Sequence, residues 1–282
     1  LFSENRNWTF GEFFGESFQL SKYLDVEPKE RVAVPAYNSE NFLKILLALW
    51  FKKAIAVPLN SSLPVYKRKE LITKVGCKEN SFEEMLGIFS QHFPKKNFKN
   101  LYSIDTEKKF NFKINKEKIS INTKAWGTII FTSGSSGFEK AVVHSLGNHI
   151  YNALGSNAFE PLNQGDRWLL SLPLYHVGGL AIFFRILISG AAMVSLPKKN
   201  KMVEFINNYN ITHLSLVPTQ LYRLLKTKNG RDSLRRLKLI LVGGAHIPKP
   251  LIEESTKLGL NIKITYGSTE MASQVATGLI DS

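Results

Sequence analysis

A run of apolar and β-branched residues, Trp126-Gly-Thr-Ile-Ile-Phe131, opens directly into the segment Thr132-Ser-Gly-Ser-Ser-Gly-Phe-Glu-Lys140. The first run reads as a buried strand. The second sets two glycines, Gly134 and Gly137, among the hydroxyls of Thr132, Ser133, Ser135 and Ser136 where that strand ends. Glycine lets backbone N–H groups approach an anion with no side chain in the way, so a run of this kind can cradle phosphate oxygens. The hydroxyls add donors, and Lys140 adds a mobile positive charge. The segment is not a Walker A loop, which needs Gly-Lys-Ser/Thr, because Lys140 lies between Glu139 and Ala141.

The rest of the chain alternates between strand and helix signals. Arg31–Tyr37 reads as a strand, and Ser39–Lys53 carries Phe42, Ile45, Leu46, Leu49 and Trp50 at helical spacing. Leu43 and Leu47 widen that apolar face, so this helix is expected to be buried on most sides. Ala54–Val57 returns as a short strand ended by Pro58, and Val65–Val75 is predicted helical. Beyond the loop, strands are predicted at Trp168–Leu172, Ala191–Leu196, His213–Val217, Leu237–Val242 and Ile262–Tyr266, and helices at Gly179–Ser189, Met202–Tyr209, Thr219–Lys226 and Pro250–Leu258. This order defines an α/β protein of mostly parallel sheets flanked by helices. Residues 76–125, rich in Lys, Asn and Phe, read as a short helix near Phe82–Phe93 followed by a hairpin or linker. They divide the chain into a first α/β subdomain, 1–125, and a second, 126–282.

Two further glycine turns follow predicted strands: Val242-Gly243-Gly244-Ala245, and Tyr266-Gly267-Ser-Thr269-Glu270. Ligands of open α/β sheets bind at the carboxyl ends of strands, so the three turns are expected along one crevice suited to one nucleotide. In this order they resemble the signatures of the adenylate-forming superfamily: acyl-CoA synthetases, peptide-synthetase adenylation domains and luciferases. The superfamily's loop runs Thr-Ser-Gly-(Ser/Thr)-(Ser/Thr)-Gly-x-Pro-Lys-Gly. Here Glu139 replaces the proline and Ala141 the last glycine, which removes a rigid φ and sets a negative charge beside Lys140.

Adenylation joins a carboxylate to the α-phosphate of ATP and expels pyrophosphate. Both reactants are anions, so neutralised charge and in-line positioning are the physical needs. Lys140 can take the outer phosphates, and Glu270 can hold Mg²⁺, which favours one or two carboxylates plus phosphate oxygens. Thr132 and Thr269 offer hydroxyls, and Tyr266 offers a ring for adenine. Taken singly, Glu270 could equally be a helix-entry carboxylate and Tyr266 a core aromatic. The resemblance implies nucleotide binding by the 132–137 loop, Lys140, Gly243, Gly244, Ala245, Tyr266, Gly267 and Thr269.

A further segment, Trp168-Leu-Leu-Ser-Leu-Pro-Leu-Tyr-His-Val-Gly-Gly179, with Arg185 and Ser215-Leu-Val-Pro-Thr-Gln-Leu221, resembles the o-succinylbenzoate–CoA ligase family of menaquinone biosynthesis. That resemblance implies coenzyme A as co-substrate and His176, Arg185, Thr219 and Gln220 near the acyl substrate. Arg185 lies inside an otherwise apolar helix, where a charge is costly unless paired. A dianionic acid would supply the partner; so would an internal Asp or Glu. His176 reads as a positioning group, because the reacting carboxylate is already ionised near neutral pH. Gln220 either touches the substrate or caps the helix that Pro218-Thr219 begins.

With 282 residues, 44% of them apolar, the chain can bury a sizeable core. No apolar stretch reaches about 18 residues without a charge, so no transmembrane segment is expected. The lone Cys77 fits a reducing cytoplasm. The 37 basic against 23 acidic residues give a net charge of +14, but the lysines are spread out, with short clusters such as Lys67-Arg68-Lys69. A solvated surface that attracts ATP and CoA is therefore favoured over a nucleic-acid interface. Superfamily members continue with a Thr-Gly-Asp segment, a hinge and a small lysine-bearing lid domain, and none of these precedes Ser282. The expectation is thus the large-domain portion of a carboxylate–CoA ligase, incomplete for turnover by itself. Two other readings stand beside it: an acyl- or aryl-CoA synthetase with another substrate, and a noncatalytic adenylate-binding remnant.

Overall fold

The computed structural model describes residues 1, 6–78, 81–92, 122–132, 139–196 and 201–279, with backbone only at 89–92 and 279. The chain divides into two units, Leu1–Gly147 and Asn148–Ser282.

The first unit begins with α1 (Phe10–Ser21), whose start is written in the sequence as a reciprocal capping box between Thr9 and Glu12. It continues through β1 (Arg31–Ala36), α2 (Glu40–Phe51), β2 (Ile55–Asn60), α3 (Val65–Lys74), α4 (Ser81–His92), β3 (Trp126–Thr132) and β4 (Lys140–Ser145). The sheet order is β1-β2-β3-β4, parallel except for the antiparallel edge strand β4. Ala33, Val57, Leu59 and Ile129 pack with Leu71, Ile72, Val75 and Phe82 of the α3–α4 layer. Strand side chains alternate between faces, so the equally buried Val32, Val34 and Ala56 face the opposite way. There α2 lies against β1 and β2, buried from Glu40 to Leu49 as its wide apolar face demanded. Trp50 Nε1 donates to the Gly127 carbonyl at 2.8 Å and fixes α2 to β3.

Two expectations change here. Strand β2 runs on through Pro58 to Asn60, because its ladder with β3 is registered at Ala56↔Thr128 and Pro58 pairs only toward β1. The division of the chain falls at 147/148 rather than 125/126, because β3 and β4 complete the first sheet. The hairpin or linker expected before β3 lies largely outside the described residues.

The second unit holds α5 (Leu146–Phe159, whose first two residues count with the first unit), β5 (Arg167–Leu170), α6 (Val177–Ser189), β6 (Ala192–Ser195), α7 (Met202–Asn208), β7 (His213–Leu216), α8 (Pro218–Leu225), α9 (Lys228–Leu234), β8 (Leu239–Val242), α10 (Lys249–Lys257), β9 (Ile262–Ser268) and β10 (Ser273–Leu279). Its sheet order is β10-β9-β8-β7-β5-β6, parallel except for β10. The helix α6 stops at Gly190, whose φ of 71° is the left-handed cap that glycine adopts without strain. At the amino ends of the strands, Asp166 is held by Lys238 at 2.7 Å, and His213 Nδ1 lies 2.7 Å from Thr212 Oγ1. Burial pulls the His213 imidazole down to about 4, with Asp166 offsetting part of that fall. The mostly parallel α/β architecture expected from the sequence is the one observed. No helix among the described residues is long and apolar enough to cross a membrane.

Candidate active site

In the first unit, Thr132 and Lys140 are direct partners across the β3–β4 ladder. Phe131 and Ala141 pack toward the α3 layer, so alternation turns Thr132 and Lys140 to the other face and Glu139 to the α3 face. There the Glu139 carboxylate meets Lys67 Nζ at 2.7 Å, and its carbonyl accepts from Lys74 Nζ. Lys67 also reaches Glu70 at 3.0 Å. The charge that stood beside Lys140 in the sequence is therefore neutralised on the opposite side of the strand. Lys140 is exposed and forms no salt bridge among the described residues. Ser133, Gly134, Ser135, Ser136 and Gly137 lie outside those residues.

In the second unit, the carboxyl edge of the parallel strands gathers the other motifs. After β8, a Cβ on Gly243 would stand 2.3 Å from Thr265 Oγ1, so only glycine lets β9 pass this closely, and Gly244 has φ 80°. Ala245 beside them is exposed. At the end of β9, Tyr266 is 69% exposed, so it is no core aromatic. A Cβ on Gly267 would meet the Ser273 carbonyl at 2.3 Å. Thr269 then opens a tight turn, closed by Ala272 N–H donating to its carbonyl at 3.0 Å. Glu270 is exposed in that turn between β9 and β10 and enters no helix.

Gln220 is an internal brace. Its Oε1 accepts the Val217 N–H at 3.0 Å and its Nε2 donates to the Ser171 carbonyl at 3.3 Å, tying the ends of β7 and β5 together. The helix-cap bond is present, and the second hydrogen of Nε2 is not used by these contacts. Thr219, in the first turn of α8, is exposed. His176 stands at the N-cap of α6, its ring centroid 4.5 Å from that of Tyr175. Desolvation of the ring lowers its pKa below the ordinary histidine value, although the residue as a whole remains exposed.

Arg185 is 3% exposed. Its Nε donates to Asn157 Oδ1 at 2.9 Å, its Nη2 to the Glu160 carbonyl at 3.0 Å, and its guanidinium lies 4.4 Å from the centre of the Trp168 ring. These contacts are an amide, a carbonyl and an aromatic face, all uncharged. Among the described residues no carboxylate comes within salt-bridge distance, the Glu160 carboxylate being taken by Lys263. Burial pulls the guanidinium down to about 10, which still leaves it charged at neutral pH. The Glu160 carboxylate offsets part of that fall, so of the internal acids it is the one that acts on Arg185, without a direct ion pair.

No group of three or more metal-ligating side chains exists among the described residues, so a resident metal cage does not fit. One exposed carboxylate does fit Mg²⁺ that arrives with phosphate oxygens, since that ion keeps most of its shell outside the protein. Some side chains that hold the motif turns were not legible as such in the sequence. Lys67 stood in the sequence as part of a short basic cluster, and Asn152 with Ser156 carried only i, i+4 spacing on a polar helix.

The fold is an α/β one with close glycine approaches in the second unit, an exposed ammonium at Lys140 in the first unit and an exposed carboxylate at Glu270 in the second. The chain belongs to the AMP-binding enzyme family, which it matches over residues 1–282. It is 29% identical over 287 residues to the 2-succinylbenzoate–CoA ligase of Bacillus subtilis (strain 168), covering 98% of this chain and 57% of that protein. To the ligase of the same name from Bacillus cytotoxicus it is 31% identical over 258 residues, covering 90% of this chain and 52% of that one. Among solved structures it is similar to the o-succinylbenzoate coenzyme A synthetase of Bacillus subtilis in complex with ATP and magnesium ion. The TM-score is 0.79 at 27% identity, covering 99% of this chain and 58% of that one. The same synthetase with its acyl-adenylate intermediate OSB-AMP gives a TM-score of 0.79 at 27% identity, covering 99% and 73%. The chain spans about half the length of the curated relatives it matches.

Proposed function

We propose that this chain carries the nucleotide and acid sites of an ATP-dependent carboxylate–CoA ligase acting on o-succinylbenzoate in menaquinone biosynthesis. A carboxylate oxygen of the acid attacks the α-phosphorus of ATP as the bond to pyrophosphate breaks. The coenzyme A sulfur then forms a thioester at the acyl carbon, and AMP leaves. Lys140 and the hydroxyl of Thr132, on one face of the β3–β4 hairpin, draw charge from the outer phosphates. Tyr266 offers its exposed ring to adenine, Gly243, Gly244, Ala245 and Gly267 allow close backbone approach, and Thr269 adds a hydroxyl. Glu270 would hold Mg²⁺, which screens the phosphates when bound. His176 orients the acid and takes no proton from it, and Thr219 lines the acyl end. The lone Cys77, whose thiol burial pushes up to about 12, is inert at neutral pH and suits a cytoplasmic setting.

The observation that carries the choice of acid is Arg185. The hydrogen bonds and ring contact of this buried cation all go to neutral groups, and only the more distant Glu160 carboxylate answers its charge, which supports an acid that brings a second carboxylate. Calorimetry with acyl-adenylate analogues tests this. Arg185→Ala should weaken binding of the o-succinylbenzoyl analogue about tenfold or more, the worth of a charge-assisted hydrogen bond, and change that of the benzoyl analogue less than about twofold. Equal losses would make Arg185 structural and favour a different acyl- or aryl-CoA synthetase.

A further inference from the structure

The turn after β9 does not hold its shape unaided. Ala272 has φ 58° and Ser273 has φ 139°, two consecutive non-glycine residues in backbone regions that side chains disfavour. Such conformations persist only where surrounding contacts over-determine them. Here the contacts come from α5. Asn152 Nδ2 donates to the Met271 carbonyl at 3.0 Å and to the Gln274 carbonyl at 2.8 Å, spanning the two strained residues. Both hydrogens of that amide are thereby spent. One helical turn later, Ser156 Oγ lies 3.3 Å from Gln274 Oε1. From the other side, Gly267 leaves room for the Ser273 carbonyl. Ala272 is buried in this clamp while Glu270, two residues earlier, stays exposed.

We propose that Asn152 is a positioning residue for nucleotide binding: by clamping residues 271–274 it fixes where the Glu270 carboxylate stands for Mg²⁺. It touches neither nucleotide nor metal, and the proposal rests on the reading of Glu270 given above. Asn152 lies on a surface helix where alanine is a better helix former, so Asn152→Ala keeps the helix and removes both donors. Asn152→Asp keeps the shape and also lacks the donors.

Two measurements test it on this chain. Hydrogen exchange at residues 269–274 should quicken in both variants, about tenfold or more, with β8 unchanged, because the turn opens locally. Calorimetric ATP binding over a Mg²⁺ titration should show the half-saturating Mg²⁺ raised about three- to tenfold, as expected for two lost hydrogen bonds, with Mg²⁺-free ATP binding within about twofold of wild type. Adding Ser273→Gly to Asn152→Ala should return lost thermal stability by relieving the φ strain, and leave the Mg²⁺ requirement high. An unchanged Mg²⁺ requirement in Asn152→Ala, where Glu270→Gln does change it, overturns the proposal alone. So does recovery of the Mg²⁺ requirement by the added glycine, because strain relief would then suffice. An unchanged Mg²⁺ requirement in Glu270→Gln itself overturns the metal reading and the proposal with it. Unchanged exchange in both Asn152 variants removes the clamp.

Discussion

The β3–β4 and β9–β10 hairpins are built alike and held differently. Each joins the last parallel strand of a sheet to an antiparallel edge strand, and each carries motif residues where the chain reverses. Each is gripped by a helix of its own unit. For the first, the grip is ionic: Lys67 on the Glu139 carboxylate and Lys74 on the carbonyl, both partly open to water. For the second, it is a neutral carboxamide bridging two strained residues, one of them buried. Half-exposed ion pairs are worth about 1 kcal/mol at most and weaken with salt, whereas neutral bonds in a covered turn do not. The first device yields to salt; the second fixes backbone whatever the salt.

Acid should separate the two most strongly. The imidazole of His213, within the sheet that bears the second hairpin, has a folded pKa of about 4 against an ordinary value of 6.5. The unfolded chain therefore takes up its proton first as pH falls. Stability is fully present above about 6.5 and drains away as pH falls to about 4, by up to about 3 kcal/mol. Melting of the second unit followed across that window should show the loss, and His213→Gln should flatten it. A flat wild-type profile would remove His213 as the acid-labile element.

Next come the two motif charges. Lys140→Ala should cost about tenfold or more in ATP affinity, the worth of a charge-assisted hydrogen bond. Glu270→Gln should instead blunt the Mg²⁺ dependence of ATP binding. Calorimetry finding both variants unaltered beside a well-binding wild type would overturn the roles proposed for Lys140 and Glu270. The smallest effect concerns the ionic grip. Lys67→Met or Glu139→Gln should weaken ATP binding about two- to fivefold in low salt, and the difference should vanish near 1 M salt, where the Debye length is about 3 Å. The effect of Asn152→Ala on the turn should be the same at both salt levels. A salt-insensitive Lys67 effect would mean the lysine works by packing.

The second unit was easier to read than these edges. Its parallel strands are short apolar runs bounded by glycine and proline, and Gly243 and Gly267 announced the close approaches that follow β8 and β9. The helix α2 was legible because nine of its twelve positions are apolar. The antiparallel strands β4 and β10 were not, since only His144 of β4 and none of residues 273–278 of β10 is fully buried, and β10 carries a bulge between Gln274 and Ala276 that breaks its alternation. The helix α5 escaped notice because its glycines, asparagines and serines look like loop, and tertiary contacts such as those of Asn152 decide otherwise. Arg185 stood out as a charge in an apolar helix, but nothing local foretold that Asn157, Glu160 and Trp168 would surround it with neutral contacts. The separation of Glu139 from Lys140 followed from strand alternation, once β4 was known to be a strand.

The brace made by Gln220 bears on how a protein of this kind can change its diet. Each end of that amide holds a backbone group, so a mutation there loosens two strand ends at once. Thr219, one position earlier on the same helix turn, is exposed and carries no such duty. On the proposed reading, in which Thr219 lines the acyl end, directed libraries against altered substrates belong at Thr219 and should leave the strut alone.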